Sequence, residues 1–293
     1  MARIIGSPSR YIQGKGTLAE ITKYTERLGK KLLILVSKSG KKRVEEKINK
    51  AVEGTDTTVV WEIFNGECSK SEVNRIGENL KKEKCDVVVG IGGGKILDTA
   101  KAVAYYEDIA VVCVPTAAST DAPCSALSVL YTDDGQFDEY LWLPANPDII
   151  LLDTDIIVAA PVRLIVSGMG DALATYFETR ACMRSNTTSC MGGSVSKTAM
   201  ALSELCFKTL MEDGAKALLA VNAGACTPAV ENIIEANTYL SGIGFESGGI
   251  AAAHAIHNGL TCIEETHGMY HGEKVAFGVL SQLVLENVST ERS

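Results

Sequence analysis

No two of the nine cysteines stand in a C-x-x-C pair, and their number is odd. That argues against a disulfide framework or a thiolate zinc site, and reduced, mostly buried thiols are expected. Basic residues are also short: Lys and Arg total 28 against 36 Asp and Glu, for a net charge of −8. The balance disfavours nucleic acid or an anionic membrane as the main partner. Long apolar runs are missing too. The stretch 156–162 stops at Arg163, far short of the roughly 20 residues that span a bilayer. No apolar stretch of signal-peptide length precedes Arg10, so a cytoplasmic protein acting on a small molecule is expected. Histidine is scarcest in distribution: His254, His257, His267 and His271 are the only four, all within 18 residues.

The length of 293 residues suggests two domains of common size. Residues 32–36, 57–64, 86–91 and 109–114 read as short apolar strands, the last halted by Pro115. Polar helical stretches at about 42–52, 69–83 and 94–105 alternate with them, and Ser69 with Glu72 forms a capping-box pattern. Segments 126–131 and 136–143 flank a turn at Asp134-Gly135, and 148–153 reads as a last buried strand. Alternating strands and helices of this kind predict a parallel sheet covered on both faces. From about residue 154 onward the spacing predicts helices over 162–183, 187–212, 228–245, 249–260 and 270–287. The expected architecture is therefore an α/β, doubly wound, Rossmann-like domain over 1–157 and an all-α domain over 158–293.

Three places carry chemistry. Gly90-Ile-Gly-Gly-Gly-Lys-Ile-Leu-Asp98 joins a strand to a helix, where close backbone approach, free N–H groups and the helix dipole favour phosphate. It fits neither G-x-G-x-x-G nor the P-loop spacing. A tight turn with no ligand is the bland alternative. The loop after the fourth strand offers Thr116, Ser119 and Ser125 hydroxyls and the Asp121 carboxylate, at the sheet edge where open α/β folds bind ligands; such residues also form plain turns. Last come the four histidines. Imidazoles from two elements plus a carboxylate suit zinc (Zn2+) with one open position. Asp171 is the best carboxylate for this, being set among small and apolar residues, where burial without a cation is costly.

Together, segments 92–101, 118–128, 170–174, 235–242, 245–249, 254–260 and 270–277 resemble the glycerol dehydrogenases of the iron-containing alcohol dehydrogenase superfamily. The resemblance implies the dehydroquinate synthase-like architecture, a homo-oligomer, and NAD-dependent, zinc-assisted oxidation of glycerol to dihydroxyacetone and its reverse. It assigns the metal to Asp171, His254 and His271. It places the NAD pyrophosphate on Gly92, Gly93, Gly94 and Lys95, with Asp98 ordering that turn. Ser37, Thr116, Ser119, Ser125, Leu127 and Tyr131 would contact the dinucleotide, and Asp121 and Phe245 the polyol. His257 and His267 would be structural or stand behind the ligands. Thr175 occupies the position of a fourth, histidine ligand in the iron-type enzymes, which favours zinc.

Two departures stand out. Ser37 and Lys38 replace an acid that many relatives carry after the first long strand, so relaxed discrimination between NAD and NADP is expected. The sequence also ends before further helices that the family carries, and that raises the expectation of a C-terminally short domain. Rival readings are a dehydrogenase for other vicinal diols or polyol phosphates, a dehydroquinate synthase-like lyase, or a non-catalytic protein that binds nucleotide or forms oligomers.

Overall fold

The computed structural model describes residues 1–287. Apolar residues of the first half build a single six-stranded sheet in one of two compact units, made of residues 8–117 and 123–157. In chain order this unit contains β1 (Arg10–Gly14), α1 (Ile21–Thr25), β2 (Lys31–Val36), α2 (Lys38–Val52), β3 (Thr58–Ile63), α3 (Lys70–Glu83), β4 (Val87–Gly92) and α4 (Gly94–Glu107). It continues with β5 (Ala110–Pro115), β6 (Leu127–Tyr131), β7 (Phe137–Trp142), β8 (Ile149–Asp153) and α5 (Thr154–Val158). The main sheet is parallel throughout, in the order β1-β8-β5-β4-β2-β3. Leu32, Ile34, Val36, Val87, Val89, Val112 and Leu151 fill one face of it, against Leu18, Ile21, Val44 and Ile48. β6 and β7 form a separate antiparallel hairpin, turned at Gly135 with φ +85°.

Two local readings need correction here. β5 runs through Pro115 rather than stopping before it. At α3 only half of the capping box forms: Ser69 accepts the Glu72 N–H at 3.3 Å. The Glu72 carboxylate instead accepts the Arg75 guanidinium and both the backbone N–H and the side-chain amide of Asn65, which leaves it no lone pair for the Ser69 N–H. Arg10-Tyr-Ile-Gln-Gly14 has no apolar run to mark β1 in the sequence; pairing with the apolar β8 makes it an edge strand.

The second unit gathers, of the described residues, 1–7, 118–122 and 158–287. A single cut between 157 and 158 therefore does not separate the units. Its helices are α6 (Val162–Ser185), α7 (Lys197–Asn222), α8 (Pro228–Glu235), α9 (Ser241–Gly248), α10 (Ala252–Leu260) and α11 (His271–Leu285), with a π-helical stretch, Ala236–Leu240, leading into α9. Ala174, Phe177, Ala253, Val275 and Val279 form a core with Tyr176, Phe207 and Leu283 around it. The helix expected over 187–212 begins ten residues later. Asn186 ends α6 in the left-handed region at φ 59°, and Gly192 sits at φ 77°. Ser194 bridges to Arg3 and Thr188, and Ser196 then caps α7 by accepting the Ala199 N–H. Among the described residues, no helix is long and apolar enough to cross a membrane.

Candidate metal centre

Asp171, Thr175, Glu178 and Cys182 recur at steps of four, three and four along α6, which puts them on one face of the helix. All four are buried. Two other segments close on this face because glycine lets main chain touch main chain. A Cβ at Gly272 would stand 1.7 Å from the Ser167 oxygen, and one at Gly168 would stand 2.0 Å from the Ala118 oxygen. The first contact seats the start of α11, and so His271, against Asp171. The second seats the 118–122 segment, which carries Asp121; Asn237 fastens it by donating to the Ala118 and Ile165 oxygens at 2.9 and 3.0 Å.

The structure brings Asp171, His254 and His271 together with one donor atom from each, all within 4.8 Å of one another. Asp171 Oδ1 lies 3.0 Å from Nε2 of His271 and 3.5 Å from Nε2 of His254. It is nevertheless a buried carboxylate oxygen without a well-directed hydrogen bond. Burial would raise the Asp171 pKa, but the charge of the facing His271 and His254 rings outweighs it and holds the carboxyl below the usual range. Burial likewise opposes charge on His254, yet Glu178 and Asp171 raise its pKa well above that of an ordinary imidazole. An orphaned oxygen and two imidazole nitrogens converging on one point form a donor set that fits a divalent cation.

Asp121 stands beside these donors without joining them. Its N–H donates to Asp171 Oδ2 at 3.2 Å, and its own Oδ2 accepts the Ser241 hydroxyl at 2.7 Å. Thr175 Oγ1 lies 2.8 Å from Ser241 Oγ, so the residue at the fourth-ligand position belongs to a buried hydroxyl chain. Burial, then the Asp171 charge, pushes the Asp121 carboxyl up to about 7. Phe245 follows Ser241 by one turn of α9 and is half-buried.

The remaining histidines add no atom to the donor set. His257 packs its ring edge-on against His271 at 4.2 Å, and burial and the His271 charge lower its pKa to about 4. His267 is exposed, with Nε2 3.1 Å from the Thr261 oxygen. Glu178 has no role in the sequence reading, although its place seven residues after Asp171 on the same face was a usable sign.

In the α/β unit, the turn from β4 to α4 has an uneven set of glycines. A Cβ at Gly92 would meet Ile96 at 2.5 Å, whereas one at Gly93 or Gly94 would meet nothing within 4 Å. Gly93 caps α4 without a side chain to close it, and Gly93, Gly94 and Lys95 at the helix start are exposed. That start fits an anionic group. Lys95 is turned to Glu67 at 2.6 Å and lies over the Tyr131 ring. Asp98 is tied into α4 and β6 rather than the turn: Oδ1 pairs with Lys101 at 2.9 Å and Oδ2 accepts the Val129 N–H. Thr116 donates its N–H to the Gly92 oxygen, Ser119 is half-buried and Ser125 is buried. Leu127 and Tyr131 bound β6. Ser37 caps α2 by accepting the Gly40 N–H, and Lys38 beside it is exposed.

The family model for "Iron-containing alcohol dehydrogenase" matches residues 8–154. The glycerol dehydrogenase of Escherichia coli O6:H1 is 52% identical over 291 residues, covering 99% of this chain and 79% of that protein.

This chain belongs to the iron-containing alcohol dehydrogenase family.

Within the family, the glycerol dehydrogenase of Pseudomonas putida is 53% identical over 289 residues, again covering 99% of this chain and 79% of its own length. The solved glycerol dehydrogenase of Schizosaccharomyces pombe superposes with a TM-score of 0.95 at 42% identity, over 99% of this chain and 74% of that one. The parallel-sheet unit and the helical unit are thus the family's fold.

Proposed function

We propose that this protein oxidises glycerol to dihydroxyacetone with NAD as hydride acceptor, and catalyses the reverse reduction. The observation that carries the proposal is the convergence of Asp171, His254 and His271 in a chain about half identical to glycerol dehydrogenases. These three residues would hold a divalent cation, and two imidazoles with one carboxylate make zinc our choice. Bound there, the cation supplies Lewis acidity that lowers the pKa of a substrate hydroxyl.

The residues around it do the rest. Asp121, fixed by Ser241 and by its N–H bond to Asp171, accepts hydrogen bonds from the polyol's other hydroxyls, while Phe245 packs its carbon chain. Gly92, Gly93, Gly94 and the start of α4 take the NAD pyrophosphate. Thr116, Ser119, Ser125, Leu127 and Tyr131 contact the dinucleotide, and Lys95 would exchange Glu67 for a phosphate oxygen. NAD held there would supply the hydride acceptor for the secondary carbon, so that glycerol and NAD+ would become dihydroxyacetone, NADH and one proton.

Ser37 places no acid at the adenosine ribose, and Lys38 adds a positive charge, so NADP should be accepted alongside NAD. The test is NADH formation with glycerol at alkaline pH, together with zinc content by elemental analysis. Wild-type protein should form NADH and hold zinc in stoichiometric amount, and His271→Ala should lose most of both. A His271→Ala protein that keeps both its zinc and its activity would overturn the ligand assignment. The same assay with NADP should give an efficiency much closer to that with NAD than acid-bearing relatives show.

A further inference from the structure

Glu178 is fully buried two turns along α6 from Asp171. One of its oxygens, Oε1, accepts the backbone N–H groups of Ala251 at 2.8 Å and His254 at 2.9 Å, which open α10. The other, Oε2, lies 2.6 Å from Nδ1 of His254. An ionised carboxylate only accepts hydrogen bonds, so in the singly protonated ring, the form that can bind a cation, the proton sits on Nδ1. The Nε2 atom, 3.5 Å from Asp171 Oδ1, then has its lone pair for a cation.

We propose that Glu178 is the positioning residue of the metal centre: it fixes the tautomer and aim of His254 while also seating the first turn of the helix that carries it. The inference rests on reading Asp171, His254 and His271 as metal ligands. Its two tasks use different oxygens and can be separated. In Glu178→Gln, the carbonyl oxygen is claimed by the two backbone N–H groups, since an NH₂ there would face two donors. The NH₂ must then face Nδ1 and donate to it. That moves the ring proton to Nε2, where it blocks ligation, yet leaves the seating of α10 intact.

Zinc affinity of the full chain, measured by competition with a chromophoric chelator, tests this. Glu178→Gln should bind zinc roughly 10- to 100-fold more weakly than wild type, with an unchanged circular dichroism spectrum in the metal-free state. In zinc-loaded wild type, ¹⁵N NMR should place the His254 proton on Nδ1. Glu178→Ala should lose zinc affinity and also melt lower, because both backbone donors lose their acceptor. Wild-type affinity in Glu178→Gln would overturn the inference. So would loss of its fold, because the amide is held to keep both backbone bonds. If wild type binds zinc no better than His271→Ala does, the ligand reading itself fails and this inference falls with it; the two failures are therefore told apart.

Discussion

A buried carboxylate without a cation partner is expensive, and Asp121 is one. Its bonds come from Ser241 and, on the main chain, from its own N–H to Asp171. Asp121→Asn keeps an acceptor for Ser241 but removes the charge that, on the proposed function, substrate hydroxyls would meet. A hydrogen bond to a charged group contributes about 1.5–3 kcal/mol, so kcat/KM for glycerol should fall roughly 10- to 100-fold while zinc content stays near wild type. Loss of zinc in this variant would instead make Asp121 a part of the metal's support. A pH effect accompanies the change in the metal-free protein. The Asp121 carboxyl is raised from 3.8 to about 7, so the stability contributed by its protonated form is fully present below about 4 and is lost as pH rises through 7. Wild-type stability to urea should therefore decline across that window, and Asp121→Asn should flatten the decline.

At the scale of elements, the strands and most helices were legible because apolar runs and three- and four-residue spacing are local signals. What escaped depended on neighbours. β1 is a strand only because β8 pairs with it, and the segment 187–196 is held out of a helix by Gly192 and its bridges to the first residues. The histidine cluster and Asp171 stood out by residue type, whereas Glu178 and the Thr175–Ser241 hydroxyl pair did not. Their partners lie 76 and 66 residues away, respectively, and spacing along one helix names a face without saying what meets it. The glycines of Gly168-Met-Gly-Asp171 and Gly272 are where those faces meet. Gly272→Ala would drive a Cβ into the Ser167 oxygen, which is backbone and cannot turn aside. A cost of about 1–3 kcal/mol is expected from such overpacking, with weakened zinc binding because His271 is adjacent. An unchanged melting temperature and zinc affinity would show that α11 can shift without cost.

Across the whole molecule, the nine thiols sort by burial. Cys68 and Cys113 are pushed up to about 12 and Cys85 and Cys182 to about 11 by desolvation, and Cys206 is raised in the same way. Cys226 and Cys262 are exposed. Iodoacetamide applied to the native protein near pH 8 should therefore label Cys226 and Cys262 first, as read by mass spectrometry, since the thiolate is the reactive form. Fast labelling of Cys206 or Cys113 would mean that the helices or the sheet open readily. The arrangement of units also bears on how such proteins can be recombined. Residues 118–122 belong with the helical unit although their neighbours in sequence on both sides belong to the sheet. A chimera spliced at residue 157 would thus pair Asp121 and the Ala118 carbonyl from one parent with Asn237 and Ser241 from the other. For homologues that differ at these contacts, the five-residue segment has to be exchanged together with the helices that it touches.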